Sequence, residues 1–232
     1  MSKTKTNKVL VVDDDTDILE LLQYNLEKEG YDVKTANNGQ KAIDIATLFL
    51  PNLILLDIMM PGMDGVETCR ILRENTALVE THILFLTARS EEYSEVAAFD
   101  AGADDYISKP IKPRALLSRI GAILRRETKK SSKESKRIEI GSLMIDKQSY
   151  TVTVNQKAII LPKKEFELLH FLAQNPNKVF NRDELLQNIW GTDVYVLART
   201  VDVHIRKVRE KVGEDFIKTV KGVGYKFDPT AV

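Results

Sequence analysis

Apolar positions along the first half of the chain follow two alternating rhythms. Lys8-Val9-Leu10-Val11-Val12, Leu53-Ile54-Leu55-Leu56 and His82-Ile83-Leu84-Phe85-Leu86 are short apolar runs bounded by polar or turn residues, the pattern of strands buried on both faces. Between them the spacing lengthens to about 3.6 residues, as in Ile18, Leu21, Leu22 and Leu26, the period of a helix with one buried stripe. Thr16 or Asp17 is placed to cap that helix and Gly30 to close it. The same alternation predicts a strand over 31–36, a helix over 38–50, a strand ending at Asp57 and a helix over 64–73. A fourth strand ends in Thr87, a helix covers 91–101, a short strand covers 105–108, and a last helix runs from about 113 to 124. Five strand–helix alternations predict an α/β fold: a doubly wound, five-stranded parallel sheet with helices on both faces.

After residue 137 the rhythm changes. Ile138, Ile140, Leu143 and Ile145, then Tyr150, Val152, Val154, Ile159 and Leu161, alternate at period two around Gly141, Asp146 and Asn155, which predicts a small antiparallel sheet. Three helical segments follow, over 163–174, 182–190 and about 198–212. Asn181 and Glu184 stand at capping-box spacing before the second. Ile217–Val220 and Tyr225–Phe227 predict a closing hairpin turning at Lys221-Gly222-Val223-Gly224. The second half is therefore α+β.

Composition adds a boundary. Residues 1–124 carry 13 Lys and Arg against 20 Asp and Glu; residues 125–137 carry 7 against 2; residues 138–232 carry 14 against 12. An acidic front and a mildly basic back, joined by a basic segment, indicate two domains with different partners. Arg126–Arg137, RETKKSSKESKR, has no apolar residue and cannot bury enough surface to order itself; as a flexible tether it spans roughly 20 Å. The expected division is 1–125, a linker over 126–137, and 138–232. Cys69 is the single cysteine, so no internal disulfide forms and a reducing compartment is expected. No apolar stretch reaches membrane-spanning length and the first residues lack a signal-peptide pattern, so the expectation is a cytoplasmic protein without a membrane partner.

The polar residues at strand ends form the candidate chemistry. Asp13 and Asp14, Asp57, Thr87 and Lys109 follow the first, third, fourth and fifth strands, and right-handed crossovers bring those ends to one edge of the sheet. Two carboxylates 4 Å apart repel by roughly 4 kcal/mol at an effective dielectric near 20, so the group calls for a cation. Oxygen-only donors suit Mg²⁺ rather than zinc. A carboxylate beside a bound Mg²⁺ and an ammonium can attack a phosphoryl group. Asp15 reads as a helix-start residue.

VVDDD, LLDIMMPGMDG, LTAR and ADDYISKP, in that order, resemble the receiver (flavodoxin-like) domain of two-component response regulators over residues 8–124. The resemblance implies that Asp57 accepts phosphoryl from a sensor histidine kinase, and that Asp13, Asp14, Asp57 and the Met59 carbonyl hold Mg²⁺. It further implies that Lys109 contacts the phosphoryl group through a cis Lys109–Pro110 bond, and that Thr87 and Tyr106 are the switch pair. A Mg²⁺-dependent phosphatase with an aspartyl nucleophile shares the Asp13-x-Asp15 spacing. Asp17, however, stands where that class has Thr or Val, and no cap domain is inserted, so an enzyme is not expected beyond self-phosphorylation and slow autodephosphorylation.

In the second half, Val201, Ile205, Val208 and Val212 fall on one arc of the third helix. Arg199, Val203, Arg206, Lys207 and Glu210 lie opposite, with Thr200, His204 and Arg209 on the flanks. A basic, partly apolar outer face suits the major groove, and equally suits a solvated helix. RTVDVHIRKVREKV and TVKGVGYKF resemble the winged helix-turn-helix effector domain of the OmpR/PhoB family. This implies a recognition helix over 199–211 and a wing whose Lys221 reaches the minor groove. Arg199, Thr200, His204, Arg206, Arg209 and Trp190 are implied as phosphate contacts, and Val203 and Lys207 as base-facing; a core aromatic is the other reading of Trp190. The loop 191–197 matches the segment that contacts RNA polymerase, although Leu197 and Ala198 replace acidic residues. Phosphorylation is implied to drive a homodimer through the helix at 91–101, the fifth strand and the helix after it. Asp100, Asp104, Asp105 and Arg119 are the candidate cross-chain charges, while Glu95 and Ala115 lack the usual partners. Double-stranded promoter DNA with direct-repeat half-sites is the expected target.

Overall fold

The computed structural model describes residues 6–87, 101–129, 137–191 and 199–230. The chain divides into two compact units, residues 1–131 and 132–232.

In the first unit, β1 (Lys8–Val12), β2 (Asp32–Ala36), β3 (Leu53–Asp57), β4 (His82–Thr87) and β5 (Asp105–Ser108) form one parallel sheet in the order β2-β1-β3-β4-β5. The period of two in a strand sorts its side chains onto two faces. Leu10, Val12, Ile54, Leu56, Ile83 and Phe85 pack with Ala42 and Ala46 of α2 (Gly39–Phe49) and Cys69 and Leu72 of α3 (Gly65–Glu74). The intervening Val9, Val11, Leu53, Leu55, Leu84 and Leu86 pack with Leu19, Leu22 and Leu26 of α1 (Thr16–Lys28) and Leu116, Ile120 and Leu124 of α4 (Pro113–Lys129). The sheet is thus doubly wound, with two helix pairs covering opposite faces. The helix expected over 91–101 lies outside the described residues.

Helix starts follow side-chain capping. Asp15, rather than Thr16 or Asp17, caps α1, accepting from Asp17 N at 2.9 Å. Asn38 caps α2 and Asp64 caps α3. A 3₁₀ turn, Thr76–Leu78, between α3 and β4 was not expected. Helix α4 continues to Lys129, past the expected end at 124, so it takes up the start of the expected linker; residues 130–136 lie outside the described residues.

In the second unit, β6 (Arg137–Ile140), β7 (Leu143–Asp146), β8 (Thr151–Val154) and β9 (Lys157–Ile159) form an antiparallel meander. Helices α5 (Lys163–Ala173), α6 (Arg182–Ile189) and α7 (Thr200–Val212) follow, then the hairpin β10 (Ile217–Val220) and β11 (Gly224–Phe227). The Asn181–Glu184 capping box is complete in both directions. Helix α7 buries Val201, Ile205, Val208 and Val212.

Candidate functional site

Four strand ends converge on one edge of the parallel sheet. Asp13 follows β1, Asp57 ends β3, Thr87 ends β4 and Lys109 follows β5. The ammonium of Lys109 lies 2.8 Å from Asp13 Oδ2 and 2.8 Å from Asp57 Oδ1. The Met59 amide donates to Asp57 Oδ2 at 3.1 Å, and the Asp15 amide to Asp13 Oδ1 at 3.1 Å. Asp13, Asp57 and Thr87 are buried, while Asp14 is exposed. The Lys109–Pro110 bond is cis. Gly65 gives Asp57 its room: a Cβ there would sit 2.1 Å from the Asp57 carbonyl oxygen, so the start of α3 can press against the strand end only with glycine.

The electrostatics follow from burial. Desolvation pushes the Asp57 carboxyl above the usual carboxylate range, and the hydrogen bond and charge of Lys109 offset this only in part. Burial alone would lower Lys109, but its hydrogen bonds to Asp13 and Asp57 outweigh that and raise it. A carboxyl raised in this way favours the fold when protonated, and that contribution is lost as pH rises through its folded value. At neutral pH the ionised Asp57 is therefore a cost that further positive charge would relieve. Oxygens of Asp13, Asp14 and Asp57 lie within 4.8 Å of one another, a donor set that could hold a hard metal ion. Lys109 already supplies one positive charge between the two buried carboxylates.

Thr87 and Tyr106 stand on adjacent strands, paired Phe85↔Tyr106 and Thr87↔Ser108. Tyr106 is half-buried against the α2/α3 face of the sheet.

Three of the residues expected to bridge two chains have another role. Asp104 is buried beside Arg73 of α3, 2.7 Å away, and accepts the Ile83 amide at 2.8 Å. Arg73 also donates to Gly102 O and Thr81 O, so the pair closes one end of the sheet from inside. Asp105 pairs with Arg119 of its own chain, Arg119 Nε donating at 2.9 Å. Asp100 lies outside the described residues.

In the second unit, α7 leaves Arg206 exposed, with Val203 and Lys207 partly exposed beside it. Arg206 pairs with Glu210 at 2.7 Å. Arg199 is half-buried at the N-terminal end of the helix, and Lys221 is exposed at the hairpin turn. The flanks differ from expectation. Thr200 and His204 are buried, and the His204 ring meets buried Trp190 edge-on at 4.9 Å between centroids. His204 Nδ1 lies 3.0 Å from Thr200 O. The Trp190–His204 contact ties the end of α6 to α7, and all three side chains are buried instead of facing outward. Arg209 on the other flank donates twice to Ile217 O, at 2.9 and 2.7 Å, and to Thr219 Oγ1 at 2.8 Å. Its guanidinium is committed to the hairpin. One cluster had no sequence signal: Asp202 accepts from Arg182 Nε and from the Tyr225 hydroxyl, both at 2.7 Å. The loop expected to reach RNA polymerase lies outside the described residues after Gly191. Among the described residues no helix is long and apolar enough to cross a membrane.

Comparison with known proteins matches both units. The response regulator receiver domain family covers residues 9–121, and the family described as transcriptional regulatory protein, C terminal, covers 156–227. The transcriptional regulatory protein ResD of Bacillus subtilis is 43% identical over 98% of both chains. The alkaline phosphatase synthesis transcriptional regulatory protein PhoP of the same organism is 42% identical over 95% of this chain and 96% of its own. Among solved structures, a RitR mutant is 30% identical with a TM-score of 0.79, covering 96% of this chain and 99% of its own.

Proposed function

Because this chain belongs to the OmpR/PhoB family of two-component response regulators, we propose that it is a DNA-binding transcriptional regulator switched by phosphorylation of Asp57. The observation that carries this is the Lys109 ammonium set between Asp57 and Asp13 at the sheet edge. In the proposed transfer, an Asp57 oxygen attacks the phosphorus of a phosphohistidine on the sensor kinase. The N–P bond breaks, its electron pair returns to the imidazole, and an acyl phosphate forms on Asp57. Asp13, Asp14, Asp57 and the Met59 carbonyl would hold Mg²⁺, which when bound would neutralise charge on the phosphoryl oxygens. Lys109 then turns its amine from Asp13 to the new phosphoryl group, and the Thr87 hydroxyl donates to it while the Tyr106 ring moves inward.

The added phosphoryl brings roughly two negative charges and favours pairing of two receivers through β5 and α4. Asp100, Asp104, Asp105 and Arg119 are the candidate cross-chain charges of that face; Asp104 pairs with Arg73 and Asp105 with Arg119 within the chain, so pairing would share or exchange those partners. Two tethered effector domains then bind direct-repeat half-sites about one helical turn apart, the tether raising the effective concentration of the second. Arg199 and Arg206 contact phosphate, Val203 and Lys207 face base edges, and Lys221 reaches the minor groove. The reading puts the chain in the cytoplasm, with the kinase, promoter DNA and RNA polymerase as partners.

Exposure to acetyl phosphate and Mg²⁺ is the direct test. Native chain gains a label labile to both acid and base, as an acyl phosphate is, and shifts toward dimer on sedimentation; Asp57→Ala gains neither. Equal labelling of the two proteins would refute Asp57 as acceptor.

A further inference from the structure

A two-stranded hairpin is marginally stable by itself, so what sets the direction of β10–β11 is a question of its attachments. The backbone of β11 is pinned on one side. Phe180 N donates to Tyr225 O and Tyr225 N to Phe180 O, each at 2.9 Å, and Gly224 lets the strands close, since a Cβ there would sit 2.0 Å from Phe180 O. That bridge, one strand pair from the turn, and the Asn177 amide donating to Phe227 O at 2.8 Å at the open end, hold one edge of β11 and leave the tilt of the hairpin toward α7 to side chains. Arg209 holds β10 through Ile217 O and Thr219. The other tie runs through Asp202, on the first turn of α7. One carboxylate oxygen accepts from the Tyr225 hydroxyl on β11 and from Arg182 at the start of α6, while the Arg182 plane lies over the Tyr225 ring, 5.3 Å from its centroid. Arg182 Nη2 closes the triangle at 3.3 Å from the same hydroxyl. Burial, then the Asp202 hydrogen bond, holds the phenol in its protonated, donating form.

We propose that Asp202 is a positioning residue: it locks the wing to the recognition helix so that Lys221 and the outer face of α7 engage nucleic acid together. An acidic residue in a helix's first turn has a simpler use, favouring the helix through its dipole. That use would not require Tyr225 and Arg182 to share the same oxygen. It also would not couple Asp202 to Lys221, which sits on the turn one strand pair beyond Tyr225. The proposal rests on the DNA-binding reading above.

The test is a double-mutant cycle on the full-length chain, Asp202→Asn with Lys221→Ala, read as affinity and salt slope for a duplex selected from random sequence by the native protein. Lys221→Ala is expected to reduce the slope of log affinity on log salt by about 0.9 in the native background. Asp202→Asn is expected to weaken binding about tenfold and to reduce the slope by a similar amount. Adding Lys221→Ala to it should then change little. Tyr225→Phe, which removes only the hydroxyl, should reproduce the effect of Asp202→Asn if that variant does not fold. Equal losses from Lys221→Ala in both backgrounds, or no loss from it in the native one, would overturn the proposal while leaving DNA binding intact. A native chain with no salt-dependent duplex binding would overturn the underlying reading, and the proposal with it.

Discussion

The receiver pocket and the recognition face solve opposite problems. The pocket gathers side chains from four strands whose sequence positions span Asp13 to Lys109, and buries most of them. The recognition face takes its residues from one helix and one turn, and has to leave them in solvent. In the pocket each group is held by its partners: Lys109 by two carboxylates, Asp57 by Lys109 and the Met59 amide. On the face, Arg206 has an exposed Glu210 on the next turn, a contact worth about 0.3–0.5 kcal/mol. Burial makes the first site costly to build and chemically specific. Exposure makes the second adaptable, and shifts the work of orientation to residues beneath it.

The largest expected effect tests whether the two units depend on each other. Arg73→Ala removes the guanidinium from buried Asp104 and two further hydrogen bonds. Stripping one partner from a buried pair costs about 3–5 kcal/mol, so the receiver transition should move sharply in urea. The transition of the isolated behaviour of residues 138–232, followed by the fluorescence of Trp190, should stay in place. A parallel shift of both would show that the units fold as one.

Next come the two arginines of α7, which the sequence treats alike and the structure separates. Arg209→Ala loses bonds to Ile217 O and Thr219 and should destabilise the effector unit by about 1–2 kcal/mol. Arg206→Ala should change stability by no more than about 0.5 kcal/mol yet reduce the salt slope of DNA binding by about 0.9. Thermal melts and salt-titrated binding on the same two variants check this; a matched loss of stability would erase the distinction between flank and face.

That pair also shows where sequence reading stops. The parallel sheet, its two covered faces and the meeting of Asp13, Asp57, Thr87 and Lys109 follow from strand periodicity and crossover handedness, because a strand buried on both faces leaves its end residues one place to go; the strand order does not. A helix flank is different. Periodicity puts Thr200, His204 and Arg209 beside the apolar arc of α7, but whether a flank is wet depends on what packs over it. Trp190 covers one side and the hairpin the other, and neither is encoded in the helix itself. Asp104 shows a related gap: an acidic pair at the start of a strand reads as surface until Arg73, 31 positions from Asp104, is brought beside it. Asp15 is legible as a helix-start residue, but the cap itself reads as Thr16 or Asp17, because several neighbouring side chains offer an oxygen and only backbone geometry selects Asp15.

The smallest effect probes the seam between the recognition face and its support. Tyr225 is pushed above the usual tyrosine value by burial first, then by its hydrogen bond to Asp202 and that residue's charge, with Arg182 and Arg209 pulling the other way. A raised folded value means the protonated phenol favours the fold. Its contribution is complete below the ordinary tyrosine value near 10, and is lost as pH rises through the higher folded value. Ultraviolet difference titration should therefore show one of the seven tyrosines ionising later than the exposed ones. Tyr225→Phe should remove that late phase, and Asp202→Asn should move it earlier, because the neutral amide no longer holds the proton on the phenol. If Asp202→Asn left the late phase where it was, the delay would come from burial alone. The carboxylate would then contribute nothing to fixing the hydroxyl, and support and face would be independent of each other at this point.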